Sequence, residues 1–120
     1  MRGYRIIKGK NGYRFTLIPC NNNSFPLGQS RLYTSIDECR CGLKTFADLI
    51  KKNKVNKETS NILSVVKRND KYYFIYKYSA DIIFERVVGY SGNNAKNNCL
   101  KTIKGIYEYI DEYTTNEIAN

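Results

Sequence analysis

The stretch YTSIDECRCGLKTFADLI, residues 33–50, returns in altered form as YSGNNAKNNCLKTIKGIYEYI, residues 90–110. The first copy reads as a helix with a marked start. Ser35 followed three residues later by Glu38 is a capping box, in which the hydroxyl accepts from the Glu38 amide while the carboxylate reaches back to the cap. Ile36, Cys39, Leu43, Phe46 and Ile50 then recur at three- and four-residue spacing, so one apolar stripe runs along a 3.6-residue helix. Lys51 and Lys52 follow, where cations favour a helix C-terminus. In the second copy Leu100, Ile103, Ile106 or Tyr107, and Ile110 trace the same stripe. There Ser91 or Asn93 has to start the helix without an acidic partner.

The match continues upstream of the helices. Tyr33 answers Tyr90 and Leu43 answers Leu100 at a spacing of 57 residues, whereas Tyr13 with Tyr72 and Phe15 with Phe74 are 59 apart. The first copy therefore carries two extra residues between strands and helix, around Asn21 and Asn23. The chain reads as a tandem duplication, with repeats at 4–52 and 62–110 inside a single domain, 1–120. A lone unit of that size would bury only about 60% of its unfolded surface, so a shared core is expected.

Strand signals complete each unit. Tyr4, Ile6 and Lys8 alternate with Arg5 and Ile7, Asn11-Gly12 supplies a turn, and Tyr13, Phe15 and Leu17 alternate with Arg14, Thr16 and Ile18. Residues 25–30 form a third strand, with Pro26 near its start. The second copy repeats this at 62–67, a turn at 68–70, 72–78 and 82–88, so each unit is strand, strand, strand, helix. Beyond Ile110, DEYTTNEIAN is polar and acidic and is expected to fray.

This order, with GYRFTL…LYTSIDECRCGLKTF echoed by KYYFIY…GYSGNNAKNNCLKTI, resembles the YegP-like family of small bacterial proteins built from this unit. Gly42-Leu43 matches the family's Gly-Leu near the first helical turns, and Cys99 stands where the second glycine would be. The resemblance implies an α+β fold. Both units' strands join one antiparallel sheet about an internal pseudo-twofold, with the helices packed on one face or exchanged between units. It implies no catalytic residues.

Composition narrows the chemistry further. The chain has no histidine, which removes the Ser-His-Asp and Cys-His arrangements and imidazole metal sites. Cys39 and Cys41 lie about 200° apart around a helix and cannot grip one ion together, and Cys39 belongs to the core stripe. Cys20, Cys39, Cys41 and Cys99 lack the CxxC spacing of zinc sites. KGKNGY at 8–13 fits neither phosphate-binding glycine pattern. No apolar run approaches the roughly 20 residues of a membrane span, and the N-terminus shows no secretory signal, so the expected location is the cytoplasm with reduced thiols. No catalytic residue, cofactor or metal is expected.

Two binding readings remain. One sheet face should carry Tyr4, Ile6, Tyr13, Phe15, Leu17, Leu63, Val65, Tyr72, Phe74 and Tyr76 against the helices. The other should carry Arg5, Ile7, Arg14, Thr16, Ser64, Val66, Tyr73, Ile75 and Lys77. An apolar patch of Ile7, Val66 and Ile75 there suits a protein partner. Arg5, Arg14, Tyr73 and Lys77 suit a single-stranded nucleic acid, with phosphates on the cations and a base on the ring. Residues 1–60 hold twelve basic and four acidic groups against eight and seven in 61–120, so the net charge of +9 is concentrated in the first unit. Lysine outnumbers arginine thirteen to seven, against the arginine-led habit of base-reading surfaces. The sequence therefore points to a monomeric, non-catalytic protein-interaction module, with nucleic-acid binding as the alternative.

Overall fold

The computed structural model of the protein describes residues 3–18, 26–55, 62–108 and 114–118. Along the chain run β1 (Gly3–Gly9), β2 (Gly12–Ile18), β3 (Gly28–Ser30), α1 (Ile36–Val55), β4 (Ser64–Arg68), β5 (Lys71–Tyr78), β6 (Asp81–Glu85), α2 (Ala95–Glu108) and β7 (Thr114–Ile118). The first six strands form one antiparallel sheet in the order β4-β5-β6-β3-β2-β1, and β7 lies parallel to β1 at the far edge. The fold is thus α+β, with one sheet and two helices. The third expected strand begins later than residue 25, at Gly28, and residues 19–25 lie outside the described ones.

Local chemistry accounts for the hairpins. Arg68 pairs with Lys71 across Asn69 and Asp70, both at positive φ, a conformation that short polar side chains tolerate. In the first hairpin Gly9 pairs with Gly12, and the positive φ falls on Gly12, not on Asn11. Glycine is required there twice over, since a Cβ would sit 2.5 Å from the Tyr33 carbonyl oxygen. That approach exists because the backbones of Tyr13 and Tyr33 exchange hydrogen bonds of 2.8 and 2.7 Å. Tyr72 and Tyr90 do the same in the second half, at 2.9 and 2.8 Å.

The helix starts differ as their sequences do. Glu38 N–H donates to Ser35 Oγ at 3.1 Å, the expected half of the capping box. The Glu38 carboxylate instead accepts from Thr34 Oγ1 at 2.8 Å. Cys39, Leu43, Phe46 and Ile50 are buried, and α1 packs on β1 and β2 of its own unit, so the helices are not exchanged. In α2 the buried residues are Ala95, Cys99, Ile103 and Ile106, whereas Leu100, expected in the stripe, is 44% exposed.

A contact near the helix starts explains that turn of the helix. The Tyr33 ring rests against Gly42, where a Cβ would meet its hydroxyl at 2.2 Å. At the matching position Cys99 turns into the core. Tyr90 correspondingly reaches past it to hydrogen-bond Thr102 Oγ1 at 2.5 Å.

One core lies between the helices and the sheet. Phe84 of β6 stands at its centre, with ring centroids 4.5 Å from Phe46, 5.8 Å from Phe15 and 6.3 Å from Phe74. All four phenylalanines are fully buried. The β3–β6 junction beneath them is short, pairing Gln29 with Glu85 and Ser30 with Phe84. It is extended by Arg31 N–H donating to Ile83 O at 2.9 Å and by the Arg86 guanidinium donating to Leu27 O at 3.2 Å. Ser30 substitutes its side chain for a ladder bond: its Oγ accepts from Phe15 N–H at 2.9 Å and donates to Arg31 O at 2.7 Å.

Two expectations are corrected. The C-terminal segment was expected to fray, yet Thr114–Ile118 forms a strand, because β1 offers an unfilled row of backbone groups that a short segment can complete. The outer apolar patch does not form as expected either, since Ile75 is only 5% exposed. Of the helix-side set, Tyr4, Ile6, Phe15, Leu17, Leu63 and Phe74 are buried, and Tyr13, Val65, Tyr72 and Tyr76 pack against them.

The junction gives a direct stability test. Phe84→Ala should lower unfolding free energy by about 3–5 kcal/mol in urea titrations. Gly28→Ala should also destabilise, because its Cβ would meet Phe84 Cε2 at 2.6 Å and the Glu85 carbonyl oxygen at 2.9 Å. Gly105→Ala has open space in α2 and should stabilise by up to about 1 kcal/mol. Equal effects of the two glycine substitutions would contradict this account of the junction.

Candidate functional site

Strand register fixes how the sequence-predicted residues meet. Side chains of one parity face the helices, so Arg5, Arg14, Tyr73 and Lys77 lie on the opposite, outer face. Arg5 pairs with Thr16 and Ile7 with Arg14, which makes Arg5 and Arg14 diagonal neighbours on adjacent strands. Tyr73 and Lys77 lie on β5, separated from β2 by β6 and β3, hence three strand spacings, roughly 14 Å across the sheet, from Arg14 at about 4.8 Å per strand. Along β5 they are four residues apart, about 13 Å at 3.3 Å per residue. The sheet thus joins the two arginines and spreads the other two residues.

A row of outer-face residues that periodicity alone does not single out crosses the whole sheet. Ser64, Ile75, Glu85, Gln29, Thr16 and Arg5 are paired in succession from β4 to β1. Long side chains cover its middle. The Arg68 guanidinium lies 5.6 Å from the Tyr73 ring centroid and 3.3 Å from Glu85 Oε1, so it spans three strands. Thr16 is 3% exposed, with its hydroxyl 3.4 Å from the Arg5 carbonyl oxygen. Arg5 Nε is buried and has no hydrogen-bond partner among the described residues. Tyr73 has one ring side occupied by Arg68 and its hydroxyl end against Gly89, whose Cβ would come within 2.6 Å of the ring. Register could have revealed the row, but only once the β3–β6 pairing was known.

Of the other cations in the first unit, Lys8, Lys10, Lys51 and Lys52 are exposed. Arg2 and Lys57 lie outside the described residues. Cys39 and Cys99 are buried, Cys41 is exposed, and Cys20 lies outside the described residues. Burial pushes the Cys99 thiol up, with Arg86 opposing, so it holds its proton as a core hydrophobe would. Among the described residues no three His, Cys, Asp or Glu side chains gather as a metal site.

A depression of about 500 Å³ beside the start of α1 brings Arg31, Tyr33, Glu38 and Cys41 together. Its acidic groups serve the helix: Glu38 accepts from Thr34, and Asp37 accepts from Arg40 at 2.9 Å. No helix among the described residues is long and apolar enough to cross a membrane.

These features define a two-helix, single-sheet α+β protein with one sheet face that no described helix covers. No family model and no curated protein matches the chain. The solution NMR structure of yegP from E. coli, a protein of unknown function, matches with a TM-score of 0.70 at 18% identity, over 99% of this chain and 94% of that one. At that identity the likeness establishes the fold, which is the YegP one.

The buried phenols supply a pH test. Burial raises Tyr33, with Cys39 adding to it, and burial also raises Tyr76 and Tyr107 above the ordinary 10.0. Tyr107 is partly held back by accepting from Ile62 N–H at 2.9 Å. A phenol whose pKa is raised on folding contributes stability that is complete below 10.0 and is lost as pH rises through the folded value. Urea midpoints should therefore fall above about pH 10, and Tyr33→Phe should make the fall shallower than in the wild type. An unchanged pH profile would show that Tyr33 does not titrate with unfolding.

Proposed function

We propose that the chain is a monomeric, non-catalytic interaction module, made by duplication of one β-β-β-α unit, that binds a protein partner through the outer face of its sheet. The observation that carries this reading is the outer face that no described helix covers, where half-buried Ile7 toward one edge of the sheet and Val66 and Tyr73 toward the other stand among cations. Separate apolar positions among cations suit a protein partner whose apolar contacts are flanked by acidic groups. The absence of histidine from the chain, and the protonated Cys99 thiol, favour binding over catalysis.

Duplication is supported by the register at the β3–β6 junction. A twofold that exchanges the units at the helix spacing carries Gln29 to Arg86 and Glu85 to Gly28. The image of the pair Gln29 with Glu85 is then Gly28 with Arg86, the next position of the same ladder. The matched Tyr13–Tyr33 and Tyr72–Tyr90 bridges fit the same operator. A duplicated chain already contains both halves of a symmetric pair, which supports the monomer.

One observation favours the second reading, single-stranded nucleic acid bound through Arg5 and Arg14, with Tyr73 and Lys77 further along the face. The register sets Arg5 and Arg14 diagonally on adjacent strands of the outer face, where two guanidinium groups suit one phosphate backbone. Pull-down from cell extract with and without nuclease separates the two. Recovery of a protein unaffected by nuclease, and lost in Val66→Asp, is the expected result. Nuclease-sensitive recovery, with labelled RNA binding that weakens with salt at a log-log slope of roughly −0.7 per contact and flattens in the Arg5→Ala, Arg14→Ala double variant, would replace it with the second reading.

A further inference from the structure

The sheet has two outer edges, treated differently. At one edge β1 is completed by β7, which runs parallel to it with Gly3 to Ile7 opposite Thr114 to Ile118. At the other, no described strand pairs with the outer side of β4. Hairpin geometry identifies the backbone groups involved. In both hairpins a two-residue turn closes the strand pair, Gly9 with Gly12 and Arg68 with Lys71. The closing residues bond across the turn, so alternate residues from there spend their N–H and C=O groups on the inner neighbour. The remaining residues direct theirs to the edge: Tyr4 and Ile6 toward β7, and Val65 and Lys67 toward a side where no described strand pairs.

The strand spacing that matches Tyr13 with Tyr72 carries Ile6 to Val65 and Lys8 to Lys67. The row that β7 fills on β1, Gly3 to Ile7, maps onto residues 62–66, so on β4 Val65 answers the paired Ile6, while Lys67 answers Lys8, one position beyond β7. Charge selects the occupant. Lys67 lies on the helix side of this edge, 5.8 Å from the Tyr72 ring centroid, and Arg68 on the outer side, with side chains 57% and 43% exposed. The segment that carries β7, DEYTTNEIAN, holds three carboxylates and no cation. A second copy of the chain would instead bring another +9 charge to a cationic edge.

We propose that the outer edge of β4 is a β-augmentation site for an extended acidic segment of another protein, which adds parallel to β4 as β7 adds to β1. Main-chain hydrogen bonds to Val65 and Lys67 supply the ladder, and the cations on both sides of the edge select acidic sequence. The site is separate from the outer sheet face, so the two can fail independently.

The probe is a labelled synthetic peptide with the sequence of residues 111–120, titrated against the full chain by fluorescence anisotropy and by amide NMR. Binding should perturb the Val65 and Lys67 amides, weaken with salt, and fall at least tenfold in Val65→Pro. That substitution removes an edge N–H and leaves the β4–β5 bonds in place, at the cost of the Val65 side chain's packing against the core. Lys67→Glu, which does not touch the backbone, should weaken binding as well and guards against misfolding of the proline variant. A peptide of equal charge with N-methylated alternate amides should not bind. The proposal is overturned by absence of binding, by equal binding of the N-methylated peptide, or by perturbation confined to Tyr4 and Ile6, which would mean exchange with β7. A concentration-dependent dimer abolished by Val65→Pro would also overturn it, by making a second copy the occupant.

Discussion

The Phe84 ring on the bare backbone of Gly28 is the contact on which the rest of the sheet depends. Two ladder pairs are too few to hold six strands in one sheet on hydrogen bonds alone, each contributing about 1 kcal/mol net. Phe84 links β2, α1 and β5 through Phe15, Phe46 and Phe74, and each aromatic pair adds about 0.5–1.5 kcal/mol beyond burial. The ring can lie that low only because position 28 has no Cβ. A glycine in a three-residue strand, ordinarily a weakness, is here the condition for a common core.

The same junction governs the outer face. Because β3 and β6 pair antiparallel, Gln29 and Glu85 come side by side, and the row from Ser64 to Arg5 becomes continuous. Glu85 then meets Arg68, whose guanidinium lies over Tyr73. An exposed pair of this kind contributes little to stability, at most about 1 kcal/mol. Ile75 is 5% exposed, and Ile7 and Val66 stand toward opposite edges of the outer face, on β1 and β4.

Much of the fold could be read from residues. The capping residues at Ser35, the turn at Asn69-Asp70 and the alternation through Tyr13, Phe15 and Leu17 act locally, and local chemistry decided them. What escaped was decided at a distance. Leu100 has the periodicity of a core residue, but Cys99, at the position that answers Gly42, takes the buried place, and Leu100 beside it is 44% exposed. DEYTTNEIAN has the composition of a fraying end, but the vacant edge of β1 imposes strand geometry on part of it. The candidate site was the least accessible to sequence. Parity placed Arg5, Arg14, Tyr73 and Lys77 on one face, whereas their separation across it depends on the strand order, which no local pattern encodes.

The two edges of the sheet are finished differently. β1 and β4 each have an outward row of backbone donors and acceptors. The segment after α2 fills the row on β1, and among the described residues no strand pairs with the row on β4. One C-terminal strand cannot serve two edges. β4 is also kept short, with Lys67 and Arg68 at its end, and these are the features that discourage uncontrolled edge pairing. On the β-augmentation proposed above, the cations at this edge would act twice, opposing a second copy of a chain with a net charge of +9 and attracting an acidic strand.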